Sequence, residues 1–179
     1  MTRKTLATLL LLLFSVATAY GIQGETDWVK FTSPKGLFSL QSPHEPKLEE
    51  PADSKPEEPP HSRFNDFGDG YGFVIEYFEG LTVGDPEKYL DATRDAVVNT
   101  VKGTLTGQDK ITLDGYPGRE VSLSITGANG TVVLVRTRIY VVGTSMFSLS
   151  YIWRKDGDPA VRAKMGERYF SSVKIKPKE

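Results

Sequence analysis

The chain of 179 residues contains no cysteine. That excludes disulfides, thiolate metal sites, a cysteine nucleophile and a lipid-modified cysteine. Histidine is nearly as scarce: His44 and His61 are the only two, and both flank a proline- and glutamate-rich stretch, a poor place to hold a general base rigidly. No Gly-x-Ser-x-Gly elbow occurs. Neither sign of charge dominates, with 22 basic against 23 acidic residues and a net charge of −1. Nothing in that balance calls for nucleic acid or an anionic membrane surface. Long apolar runs are missing except at the start, where "MTRKT" is followed by "LATLLLLLFSVATA" and the small-residue pattern Ala17-Thr18-Ala19. This reads as a secretory signal peptide over residues 1–19, because the run is shorter than the roughly 20 apolar residues that span a bilayer. The expectation is export to the periplasm or the medium, with a mature chain beginning near Tyr20 and no stable membrane insertion after cleavage. Without Arg3 and Lys4, 20 basic residues face 23 acidic ones, a net charge of −3.

What remains is long enough for one domain with a core that needs no staples, expected over residues 28–179 after a short N-terminal segment at 20–27. "DWVKFTSPKGLFSL" reads as two strands, Trp28 to Phe31 and Leu37 to Leu40, around a Ser-Pro-Lys-Gly turn. Pro43 to His61 holds six of the 11 prolines and few large apolar residues, and reads as an extended, mobile excursion. "SRFNDFGDGYGFVIEYFEG" resumes strand character. Asn65, Gly70 and Glu76 fall at the first, sixth and twelfth positions of a calcium loop, but Phe67 stands where an oxygen ligand is needed and the flanks are strand-like. Gly68, Gly70 and Gly72 fail the dinucleotide spacing and precede a strand. No metal and no cofactor are expected.

Two helices announce themselves by Asp-Pro starts. In "DPEKYLDATRDAVVNTVKG", Leu90, Val97 and Val101 recur on one face with Tyr89 and Val98 beside them. In "DPAVRAKMGERYFSSV", Val161, Met165 and Tyr169 share a face with Phe170 alongside, and Gly166 weakens the helix by about 1 kcal/mol relative to alanine.

Between the helices lies a meander. "LDGYPGRE" holds two glycines and a proline, and Tyr116-Pro117-Gly118-Arg119 fits a type II turn with a positive φ at Gly118, a corner instead of a phosphate loop. For the next hairpin, a three-residue Ala128-Asn129-Gly130 loop pairs Ile125 with Val133, Leu123 with Val135 and Val121 with Thr137, keeping apolar residues on one face. Asn129-Gly130-Thr131 also matches a glycosylation sequon. The same logic at "VVGTSMFSLSYIWRK" favours a Gly143-Thr144-Ser145 loop that pairs Val141 with Phe147 and Thr137 with Tyr151. The opposite sheet face then carries Glu120, Ser122, Arg136, Arg138, Ser150 and Arg154. That surface of guanidinium and hydroxyl groups is the candidate partner-binding face.

The order of strand pair, acidic proline-rich excursion, strand pair, "DPEKYLDATRDAVV" helix, "ITLDGYPGRE" corner, meander and closing "RYFSSVKI" helix resembles the PsbP-like proteins, the photosystem II extrinsic family, and especially its small exported bacterial members. The resemblance covers most of the mature chain as topology. It implies an α+β fold, a mainly antiparallel sheet with two helices packed on it in an α/β/α sandwich. It also implies a protein that docks on larger assemblies and does not catalyse. No histidine pattern carries a metal or photosystem role onto particular residues of this chain. The function expected is thus a non-catalytic exported binding or accessory module with a protein partner in the envelope or outside the cell. The alternative is a hydrolase or small-ligand enzyme using carboxylates such as Asp66, Asp69 and Glu76.

Overall fold

Both helices begin as their Asp-Pro starts dictate. The computed structural model of the chain describes residues 28–49 and 59–176. Helix α1, Pro86–Val101, is capped by the Asp85 carboxylate, which accepts from the backbone N–H groups of Glu87 and Lys88 at 3.0 and 3.3 Å. Helix α2, Pro159–Ser172, is capped in the same way by Asp158, which accepts from Ala160 and Val161. The signal segment and the 20–27 stretch lie outside the described residues.

Ten strands accompany the helices among the described residues: β1 Val29–Thr32, β2 Phe38–Ser42, β3 Lys47–Glu49, β4 His61–Gly68, β5 Tyr71–Phe78, β6 Thr104–Leu113, β7 Tyr116–Thr126, β8 Val132–Val142, β9 Ser145–Arg154 and β10 Lys174–Ile175. A seven-stranded antiparallel sheet runs β3-β4-β5-β9-β8-β7-β6, and a three-stranded sheet runs β1-β2-β10. Helix α1 packs on β7 and β8 from one side; α2 packs on β2 and β9 from the other, with the small sheet. The α+β sandwich expected from the sequence is the observed fold. Within the excursion expected from Pro43 to His61, Lys47–Glu49 pairs with Asn65, Phe64 and Arg63 of β4, while residues 50–58 lie outside the described residues.

The first meander hairpin has the expected register: Ile125 faces Val133, Leu123 faces Val135, Val121 faces Thr137, and Gly130 sits at φ +78°. The second does not. Val142 pairs with Ser145 and Val141 with Met146 across a two-residue Gly143-Thr144 turn, so every β9 partner is one residue from its expected place. Apolar alternation could not set this register because both faces of β9 are buried: Met146, Phe147, Leu149, Tyr151 and Ile152 are all core residues. The slip turns Phe147, Leu149 and Tyr151 toward α2 and the small sheet, where Phe73 stacks on Tyr151 at 4.8 Å. It turns Ile152 toward α1, with Val121, Leu123 and Val135.

The "LDGYPGRE" corner also lies elsewhere than expected. The chain reverses at Asp114-Gly115, both left-handed (φ +51° and +84°), and Leu113 pairs with Tyr116. Two positive φ values in a two-residue loop suit the right-handed twist of the hairpin, and Asp-Gly supplies them. Pro117 and Gly118 are ordinary β7 residues paired with Thr112 and Ile111, and Gly118 is not left-handed.

Helix α2 is rotated from the expected face. Gly166, Tyr169 and Phe170 are buried, whereas Val161 is 46% exposed. The Tyr169 hydroxyl donates to the Val74 carbonyl at 3.1 Å, tying α2 to β5. Gly166 sets the rotation, since a Cβ there would meet the Tyr151 ring at 2.9 and 3.1 Å. Helix propensity alone would make Gly166→Ala stabilising by about 1 kcal/mol. The contact reverses the sign, and we expect a loss of about 1–2 kcal/mol in denaturant unfolding, as for overpacking elsewhere. A gain on substitution would place α2 farther from β9.

Candidate functional site

Four of the six residues expected on one polar face share it. Glu120 stands opposite Arg138 and Ser122 opposite Arg136 on neighbouring strands β7 and β8. Arg138 Nε donates to Glu120 Oε2, and Arg136 Nη2 donates to Glu167 Oε1 of α2 at 2.8 Å. Both guanidinium groups lie over the Phe170 ring, at 4.7 and 4.6 Å from its centroid. Arg136 and Arg138 are thereby held side by side with only their outer edges in solvent, at 21% and 23% exposure. Helix α2 packs mainly on β9 and β2, and on the strands beyond Phe170 Ser122, Ser124 and Leu134 are half-buried.

Ser150 and Arg154 do not belong to this strip. The corrected register turns Ser150 to the α1 side, where its hydroxyl shares a hydrogen bond with Thr137 at 2.9 Å. Arg154 pairs with Val133 at the end of β9 and is bound by Asp156.

The Glu120–Arg138 pair is only 17% and 23% exposed, drier than an ordinary surface pair. A double-mutant cycle with Glu120→Gln and Arg138→Gln should therefore give a coupling of about 1 kcal/mol or more, above the usual surface value. Additive single effects would put the pair in open water.

Residues that sequence reading passed over are equally informative. Arg119 is 3% exposed, and its Nη2 reaches Glu87 at 3.1 Å and Asp91 at 2.8 Å, pinning the first turns of α1 to β7. Its signal was present: Arg119 continues the Val121, Leu123, Ile125 stripe toward α1, an arginine where an apolar residue should stand.

Three carboxylates offered as an enzymatic alternative are not assembled. Asp66 faces the small sheet, where it accepts from Ser42 Oγ at 2.6 Å, and from His44 through the backbone N–H and Nδ1 at 2.9 Å each. Serine and histidine both bind the carboxylate, so histidine does not stand between them to activate the hydroxyl, as a Ser-His-Asp relay requires. Asp69 sits in the β4–β5 turn. Glu76 faces the α1 side, opposite Arg63. Burial pushes its carboxyl up to about 7, against the pull of Arg63 and with the repulsion of Glu49. Among the described residues no group of three or more His, Asp or Glu could hold a metal, and no helix is long and apolar enough to cross a membrane.

No protein-family model matches the chain, and no curated protein matches it in sequence. Solved structures do match in shape. Cyanobacterial PsbP (CyanoP) from Synechocystis sp. PCC 6803 has a TM-score of 0.57 at 13% identity, over 89% of this chain and 98% of that one. The protein PA94 of unknown function from Pseudomonas aeruginosa has 0.52 at 10% identity, over 84% and 99%. The Saccharomyces cerevisiae Ran-binding protein Mog1p has 0.50 at 9% identity, over 83% and 95%. At these identities the likeness is one of architecture. The fold is that of the PsbP-like proteins.

Proposed function

We propose that the chain is an exported, non-catalytic binding module that docks a protein partner of the envelope or extracellular space through the β7–β8 strip around Arg136 and Arg138. On this reading residues 1–19 are removed, the mature chain begins near Tyr20, and residues 28–179 form the single binding domain. The observation that carries the reading is the pair of guanidinium groups fixed side by side over Phe170 with their outer edges in solvent. Immobilised arginines lose little further entropy when a partner arrives, and their outer N–H groups suit carboxylates or backbone carbonyls. One solved structure of this architecture, Mog1p, is named as a Ran-binding protein, which supports the same reading.

Ser122 and Ser124 lie in the strip without serving the core, so Ser122→Glu with Ser124→Glu tests the reading. The double variant should unfold at nearly wild-type denaturant concentration, yet lose the envelope protein that cross-links to the wild type in native extracts. Retention of that cross-link would remove the strip from the function. Recovery of full-length chain with Met1 intact from the membrane fraction would overturn export.

A further inference from the structure

The seven-stranded sheet has two unequal edges. At one, β3 is only three residues long; at the other, β6 runs for ten, and among the described residues β7 is its only strand partner. A strand in that position turns half of its backbone N–H and C=O groups outward, a template for one more strand. Proteins blunt long edges with proline, a bulge or lysine. Thr104–Leu113 contains no proline. Its bulge lies between Leu105 and Gly107, so that Gly107 to Leu113 pairs with β7 without interruption. Its lysine, Lys110, is drawn back to Glu87 of α1 at 3.0 Å.

Side chains along this edge limit what can occupy it. On the α2 side of the sheet, Ile111 and Leu113 are half-buried against the core cluster shared by α2 and the small sheet. Apolar residues on an added strand would extend that layer. Asp109 points to the same side, opposite Glu120, and is exposed. Glu120 is held by Arg138, whereas Asp109 has no ion-pair partner among the described residues. A carboxylate in that place favours a cation on the incoming strand. A second copy fits badly. Two-fold antiparallel pairing of β6 with itself keeps each sheet face on its own side, so full overlap of residues 107–113 sets Lys110 against Lys110. A step toward Gly107 sets Asp109 against Asp109, and only the shorter overlap of residues 109–113 avoids both.

We propose that the Gly107 to Leu113 edge accepts an extended segment of a partner protein as an eighth strand, with a basic residue facing Asp109 and apolar residues facing Ile111 and Leu113. Backbone hydrogen bonds supply affinity, and the alternate side chains select the segment. The inference does not rest on docking at Arg136 and Arg138, which lie on β8, two strands in from the edge.

The capped peptide Val-Thr-Val-Thr-Lys-Thr-Val, which in antiparallel alignment sets its lysine opposite Asp109, is the probe. Titrated into the mature protein and followed by amide NMR, it should shift β6 and slow hydrogen exchange at alternate amides of residues 107–113. N-methylation of alternate peptide residues should abolish binding in one phase and leave it unchanged in the other, because an added strand bonds through one edge. Glutamate in place of the peptide's lysine should weaken binding by about three- to tenfold, and Asp109→Lys should reverse the preference. Absence of shifts at β6, equal loss in both methylation phases, indifference to the charge at position 109, or a β6-paired dimer of the free protein that the peptide does not displace would each overturn the proposal. The wild-type arms decide it even if Asp109→Lys does not fold.

Discussion

Glu76→Gln is expected to stabilise the fold by about 3 kcal/mol at about pH 8 and to change it little at about pH 4. Glu76 lies on β5 between Val74 and Phe78 and is buried against the α1 side of the sheet. Burial raises its carboxyl from an ordinary 4.5 to about 7. The folded protein thus holds the proton more tightly than the unfolded chain, and stability falls as pH rises between those two values. Below about 4.5 both states are protonated and the contribution is complete. Above about 7 it is gone, and the loss is the difference in proton affinity, at about 1.36 kcal/mol for each tenfold. Glutamine keeps the shape without the charge, so its advantage should grow through that window and then level off. Urea unfolding of both proteins across the range measures it. An advantage independent of pH would mean that Glu76 is hydrated or fully paired by Arg63.

Gly118→Val should cost about 3 kcal/mol or more, the largest loss expected from a single substitution in β7. The cause is steric. A Cβ at Gly118 would lie 2.7 Å from the Ile139 carbonyl oxygen and 2.6 Å from Cδ1 of Tyr140, a buried ring. A side-chain clash alone could be relieved by rotation, but the carbonyl belongs to the β8 backbone, and moving it opens the β7–β8 ladder. Gly115 provides the control. It is left-handed at φ +84° with no atom within 4 Å of a built Cβ, so Gly115→Ala should cost only about 1 kcal/mol, from backbone conformation. If Gly118→Val proved no worse than Gly115→Ala, the close approach of β8 would be refuted.

The sequence alone determined what depends on neighbours along the chain. Asp85-Pro86 and Asp158-Pro159 started both helices because cap, proline and first turn are local chemistry. The hairpin at Gly130 took its expected register because Val121, Leu123 and Ile125 form one apolar face with the polar serines between them. The order of elements sufficed to imply the α+β sandwich. It also placed Glu120, Ser122, Arg136 and Arg138 together.

Tertiary structure decided everything that depends on both sheet faces being covered. "SMFSLSYIWR" is apolar on both sides, so its pattern fits two registers, and only the packing of α1 above and α2 below selects the one that separates Ser150 from Arg138. Gly118 and Gly166 read as a turn residue and a weak helix position; each is a point where another segment comes within reach of a Cβ, a distance no local pattern encodes. Glu76 stood in the sequence as one acid among 23 acidic residues. Burial beneath α1, with a single shared arginine for company, is what gives that carboxyl its altered proton affinity.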